Sequence, residues 1–250
     1  MRSIFKIFNV MMLLLLSNSS IADNLKNKEL EITKLEEGVW LHTSYYTYPN
    51  GLVFPSNGLI IKNGQELTLI DTAWGELQTV ELLNIIQSII KLPVTKAIVT
   101  HAHSDRAAGV DVLESAGIEV FAHPLTKRLT IEQGAPVPNN ILQGIDVPDS
   151  SINFGSFEVI FPGVAHSLDN LMIWLPKQHI LFGGCAVRSL DSKSAGNTAH
   201  GDIQSWFKVI QQAKKQYGHA KIVVPGHGKT GGVELLNHTE VLVMDAINSK

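Results

Sequence analysis

Thr100-His101-Ala102-His103-Ser104-Asp105-Arg106-Ala107-Ala108-Gly109 joins an apolar run, residues 94–100, to a helical pattern that continues to residue 116. Alternate side chains of an extended segment point to the same side, so His101 and His103 share a face as the strand runs out, with Ala102 as spacer. Asp105 stands where the chain turns into a helix, and Ser104 or Asp105 itself is available as an N-cap. Alone, the block reads either as strand-end polar residues plus a cap or as part of a metal site. Context decides between them. His166 in Gly163-Val164-Ala165-His166-Ser167-Leu168-Asp169-Asn170, Cys185 after Gly183-Gly184, and His227 in Pro225-Gly226-His227-Gly228 each follow a strand-like run too. The imidazoles of His101, His103 and His166 suit a zinc ion that keeps its fourth position for water. The carboxylate, thiolate and imidazole of Asp105, Cys185 and His227 make a second zinc-type set. Two metals close together can share one activated hydroxide, which points to hydrolysis.

Outward from this block the chain alternates in period. Upstream, strand-like runs at 38–43, 58–61 and 67–70 include a hairpin turn at 62–65. Residues 76–90 then carry a helical stripe of Leu77, Val80, Leu83, Ile86 and Ile90, with Pro93 beyond its end. Downstream the pattern predicts helix 105–116, strand 118–122 and helix 124–133. A second half repeats the order, with strands at 157–161, 171–175 and 179–182, helix 203–217, strand 221–224 and a closing helix 233–247. Two β-rich halves that each end in helices predict an α/β protein with two packed sheets and helices outside. No low-complexity tract or Pro/Gly/Ser linker divides residues 23–250, which read as one domain.

Residues 1–22 read as a targeting segment. Arg2 and Lys6 precede the apolar run 8–16, and Ser20-Ile21-Ala22 offers small residues for cleavage; the run is shorter than the about 20 residues of a membrane span. Its removal would take away two positive charges and no acid, making the chain more negative than its formal −3, and leave no stable membrane insertion. Basic residues are scattered, without a surface run suited to nucleic acid. The single cysteine cannot form an internal disulfide, and metal coordination would shield its thiol in an oxidising compartment.

The set Thr100-His-x-His-x-Asp-Arg-x-x-Gly109, Ala165-His-Ser-x-Asp-Asn170, Gly183-Gly-Cys185 and Pro225-Gly-His-Gly228, with Asp71-Thr-Ala-Trp-Gly75, resembles the class B β-lactamases of subclass B1, in the metallo-β-lactamase superfamily. The resemblance spans essentially all of residues 23–250. It separates the chain from glyoxalase II-like hydrolases, ribonuclease Z-like nucleases and B3 lactamases, which carry histidine where Arg106 stands, and from B2 lactamases, which carry asparagine where His101 stands. It implies an αβ/βα sandwich of two mixed sheets flanked by helices, two zinc ions, and opening of β-lactam rings by a zinc-bound hydroxide in the periplasm of a Gram-negative cell; separately from the resemblance, the chain is expected to act as a monomer.

The same resemblance assigns further roles. Asp105 orients the hydroxide as well as ligating, Asn197 helps hold the substrate carbonyl oxygen, and Asp71 supports the metal centre from behind. Arg188 stands where the family often has a lysine that pairs with the substrate carboxylate, and Lys193 is a fallback on the same loop. The aromatic loop 45–54 resembles a hairpin that closes over substrate, although simple edge packing accounts for it equally well. His42, His123, His179, His200, His219 and His238 match no ligand position. A hydrolase acting on another ester, lactone or thioester, and a non-enzymatic zinc-binding protein, are the alternative readings of the ligand set.

Overall fold

Alternation within each strand sorts the apolar side chains onto two faces. The computed structural model describes residues 28–249, so the targeting segment read in residues 1–22 lies outside it. The first sheet has seven strands in sequential order: β1 (Glu31–Glu36), β2 (Val39–Thr47), β3 (Val53–Asn63), β4 (Glu66–Ile70), β5 (Val94–Val99), β6 (Glu119–Ala122) and β7 (Asn140–Ile141). The second has five: β8 (Ser150–Phe154), β9 (Phe157–Phe161), β10 (Met172–Leu175), β11 (Ile180–Gly184) and β12 (Ile222–Pro225). Both are mixed, since β1 to β4 pair antiparallel and β4 to β7 parallel, while β8 to β11 pair antiparallel and β11 with β12 parallel.

Leu59, Ile61 and Ile98 of the first sheet meet Val159, Phe161, Ile173 and Phe182 of the second in the central core. Their neighbours in sequence point outward. Ile60, Leu69 and Val99 pack under α1 (Glu76–Ile89) and α3 (Val110–Ser115). Ile160, Trp174 and Leu181 pack under α5 (Ile203–Tyr217) and α6 (Glu234–Asn248). The result is the αβ/βα sandwich that the resemblance implies.

Three local expectations are corrected. The helix over 105–116 is two short pieces, α2 (Ser104–Ala107) and α3, broken around Gly109. A Cβ on Gly109 would lie 2.0 Å from Thr79 Oγ1 and 2.9 Å from Thr72 Cβ, so only glycine lets this turn sit against α1. Neither Ser104 nor Asp105 caps α2: its N-cap is His103, and Asp105 is buried in the first turn. In α1 the buried face is Thr79, Leu82 and Ile86, whereas Leu77 and Val80 are exposed. The aromatic stretch 45–54 is a hairpin, as its resemblance suggests, with Tyr45 and Tyr46 in β2, Phe54 in β3, and a turn between them. By contrast, α4 (Pro124–Gln133) starts where its sequence says, with His123 Nδ1 accepting from Leu125 N and proline at the first position.

Candidate metal centre

The segment after β5 is held from both sheets before any metal is considered. Asp71, just after β4, adopts a left-handed backbone (φ 63°) and accepts from Thr100 N at 2.7 Å and Thr100 Oγ1 at 2.9 Å. Leu171 N, just before β10, donates to Thr100 O. Ala102 N, between the two histidines, donates at 2.9 Å to Asp169 Oδ2, which also accepts from Thr126 Oγ1 in α4. Asp169 thereby fixes the spacer whose position sets both flanking imidazoles, a role that the motif did not disclose.

His101, His103 and Asp105 follow β5, His166 follows β9, Cys185 follows β11 and His227 follows β12. Nδ1 of His103 lies 3.1 Å from His101 Nε2 and 3.2 Å from His166 Nε2. On the other side, Cys185 Sγ is 3.2 Å from His227 Nε2 and 3.6 Å from Asp105 Oδ2. All six predicted ligands therefore converge, in overlapping groups whose donor atoms lie within 4.8 Å of one another. The second sheet's end is positioned by β3: His227 Nδ1 pairs with Pro55 O at 2.7 Å, which leaves Nε2 facing the thiol, and Asn57 Nδ2 donates to Pro225 O and Gly228 O. The donors fit borderline ions such as zinc. Three imidazole nitrogens turn to one place, and a thiolate, a carboxylate and an imidazole to the next.

Burial keeps the imidazoles neutral, lowering His166 to about 3 and His227 to about 4, with His101 also well below its ordinary value. Neutral nitrogens are the form a metal needs. Burial pushes the Cys185 thiol up to about 12 against the pull of Arg106. Burial also opposes ionisation of Asp105, but Arg106 and the neighbouring imidazoles outweigh it and hold that carboxyl well below the usual range.

Arg106 entered the sequence reading only as a departure from related families, yet it is the hub of the charge network. Its side chain is fully buried and donates to Gly226 O at 2.7 Å, Cys185 Sγ at 3.1 Å and Asp71 Oδ2 at 3.3 Å, and also to Asn57 O. Nε faces Asp105 Oδ2 at 2.9 Å, an ion contact whose angle falls outside hydrogen-bond geometry. Burial disfavours the guanidinium charge, and the surrounding anions more than restore it. Removing one member of a buried charge network leaves the others uncompensated. Arg106→Ala is therefore expected to destabilise the protein by about 3–5 kcal/mol, read by urea unfolding. A loss under about 1 kcal/mol would contradict the network's structural weight.

The residues expected from the sequence to meet substrate are more dispersed. Arg188 N donates to Thr239 Oγ1, and its half-buried guanidinium lies 3.2 Å from where a Cβ on Gly196 would sit. Lys193 and Asn197 are exposed on the same long loop. Asn197 Oδ1 accepts from Ala199 N, which leaves its amide N–H groups for another partner. The β2–β3 hairpin reaches the site through Phe54, whose ring centroid is 4.8 Å from that of His227, and Trp74 stacks on Tyr46 at 5.1 Å.

Residues 51–227 match the family model described as metallo-beta-lactamase superfamily, and the chain belongs to that superfamily. Within it, the chain is 38% identical over 212 residues to a metallo-beta-lactamase type 2 of Bacillus cereus, covering 84% of this chain and 81% of that one. A metallo-beta-lactamase structure from Pontibacter korlensis is 41% identical with a TM-score of 0.80, over 87% of this chain and 100% of the other. The metallo-beta-lactamase FIM-1 from Pseudomonas aeruginosa, solved in a mono-zinc form, is 33% identical with a TM-score of 0.84, over 88% and 97%.

Proposed function

We propose that this chain is a zinc-dependent hydrolase that opens the amide bond of β-lactam antibiotics, including penicillins, cephalosporins and carbapenems, and so confers resistance to them. The proposal includes export by residues 1–22 to the periplasm of a Gram-negative cell and action as a monomer of residues 23–250. Among the described residues no helix is long and apolar enough to cross a membrane. The observation that carries the reading is the convergence of six donors at the strand ends of both sheets, three imidazoles around His103 Nδ1 and Asp105, Cys185 and His227 beside them, in a chain of this superfamily.

His101, His103 and His166 would hold one zinc, and Asp105, Cys185 and His227 would hold the other. When bound, the ions supply Lewis acidity and lower the pKa of water to about 7. Three protein ligands on the histidine-held ion would leave a fourth position for water, as a catalytic site requires. Asp105, kept ionised by Arg106, orients the attacking water. Asp71, through Thr100 and Arg106, keeps both ligand sets in register from behind. The Asn197 amide donates to the carbonyl oxygen as negative charge develops there. Phe54, Trp74 and Tyr46 wall one side with apolar surface. No serine nucleophile takes part.

The test is direct. Protein recovered from the periplasm, with its N-terminus near Asp23, should open penicillin, cephalosporin and carbapenem rings when loaded with zinc. It should lose this activity to a chelator and keep it in the presence of agents that trap a serine ester. Zinc-loaded protein that opens no β-lactam ring would overturn the reading.

Arg188 is the anchor for the substrate carboxylate, with Lys193 on the same loop as the competing candidate. A hydrogen bond to a charged group contributes roughly 1.5–3 kcal/mol. If that contact is the same in ground and transition states, Arg188→Ala should raise KM by about tenfold or more with a smaller change in kcat. An unchanged KM across several β-lactams, with a raised KM in Lys193→Ala, would transfer the role to Lys193.

A further inference from the structure

His200 matched no ligand position in the sequence, yet its ring meets a ligand. His200 Nδ1 lies 2.8 Å from His103 Nε2, with the ring centroids 5.1 Å apart. We propose that His200 is a positioning residue: the hydrogen-bond acceptor that fixes the tautomer and orientation of His103, on the reading that the three-histidine set holds a metal. The nitrogen of His103 that faces the other two imidazoles is Nδ1. A nitrogen that gives its lone pair to a metal carries no proton, so the proton of neutral His103 sits on Nε2. Nε2–H therefore donates and His200 Nδ1 accepts, which places the proton of His200 on its own Nε2.

Packing holds His103 less than it holds its neighbours. His101 and His166 are buried, and the edge of Trp206 backs His166 at a centroid distance of 5.8 Å, whereas His103 is only half buried. The backbone that delivers His200 is also fixed. A Cβ on Gly201 would lie 2.0 Å from Ala165 O and 2.6 Å from His166 O, so glycine alone permits this approach. Asp202 N then donates to Ala165 O, while Asp202 Oδ1 caps α5 through Ser205 N. The loop carrying His200 is thus fastened to the backbone of Ala165, next to the ligand His166, on one side and to a helix start on the other.

The experiment titrates metal-free protein with cobalt(II). Ligand-field bands follow the three-histidine set, and thiolate-to-cobalt charge transfer follows the Cys185 set. Outer partners of ligating histidines are typically worth 10–100-fold in metal affinity. His200→Ala and His200→Phe are expected to weaken the histidine site by that factor and leave the charge-transfer site unchanged. His200→Asp, which restores an acceptor, should recover most of the loss. In the zinc-loaded wild type, long-range ¹H–¹⁵N spectra should show His200 as the Nε2–H tautomer. A phenylalanine variant that binds like wild type, or a His200 found protonated on Nδ1, overturns the proposal, because ring packing or another partner would then suffice. If wild-type protein takes no cobalt at the histidine set, the metal reading itself fails and carries this proposal down with it.

Discussion

Replacing His101 by alanine should cut β-lactam turnover by at least about 10²–10³-fold, the scale on which removal of a single oxyanion contact is felt. The expected loss is large because one imidazole serves two ends. It helps retain the ion that acidifies water, and it keeps that ion where the carbonyl oxygen gathers charge. The fold should survive the change. The stabilising apolar surface lies in the central core and in the two outer layers, each built from strand and helix faces away from His101. Circular dichroism should therefore change little while activity collapses. A folded His101→Ala protein with near wild-type turnover would remove the three-histidine set from the chemistry.

Cys185→Ser should separate the two ions. Serine keeps the shape but offers a hydroxyl, a far poorer ligand than thiolate for zinc. Metal analysis after saturation with zinc and removal of weakly held metal is expected to give two ions for wild type and one for the variant, with the remaining ion on the histidines. Two equally tight ions in the variant would refute the assignment of Cys185. The wild-type second site also carries a pH signature. Burial holds the free thiol near 12, whereas His227 is already neutral above about 4. Binding must therefore expel the thiol proton, and affinity for the second ion should rise with pH from 6 to 8 and weaken as pH falls. The serine variant should lose that dependence.

The strands and ligands legible in the sequence are those with a local signature. His-x-His-x-Asp lies within one turn of chain, and the alternating runs of β3, β4, β5 and β9 carry their faces in their spacing. Of the edge strands, β12 was legible as the run 221–224, whereas β1, β7 and β8 were not. In β1 (Glu31–Glu36) only Ile32 and Leu35 are partly covered, and β8 (Ser150–Phe154) is polar at alternate positions, so neither shows the run that marks a core strand. The stripe of α1 was misphased because Leu77 and Val80 are apolar yet exposed, while Thr79, which is polar, is buried against Gly109. Arg106 and His200 escaped for a different reason. The partners that define them, Gly226 for one and His103 for the other, are 120 and 97 residues away, and no spacing rule reaches that far.

Each ligand set draws on both sheets. Two histidines from the end of β5 join one from the β9 side, and one aspartate from the β5 side joins a cysteine and a histidine from β11 and β12. The ions would therefore act as rivets through the seam of the sandwich as well as reagents. Opening the two halves like a book would require breaking metal–ligand bonds, so the closed form gains stability with free zinc by mass action. A cell starved of zinc would then hold a chain that is both idle and more easily pried apart by proteases, and the same nutrient would govern how fast each molecule works and how long it lasts.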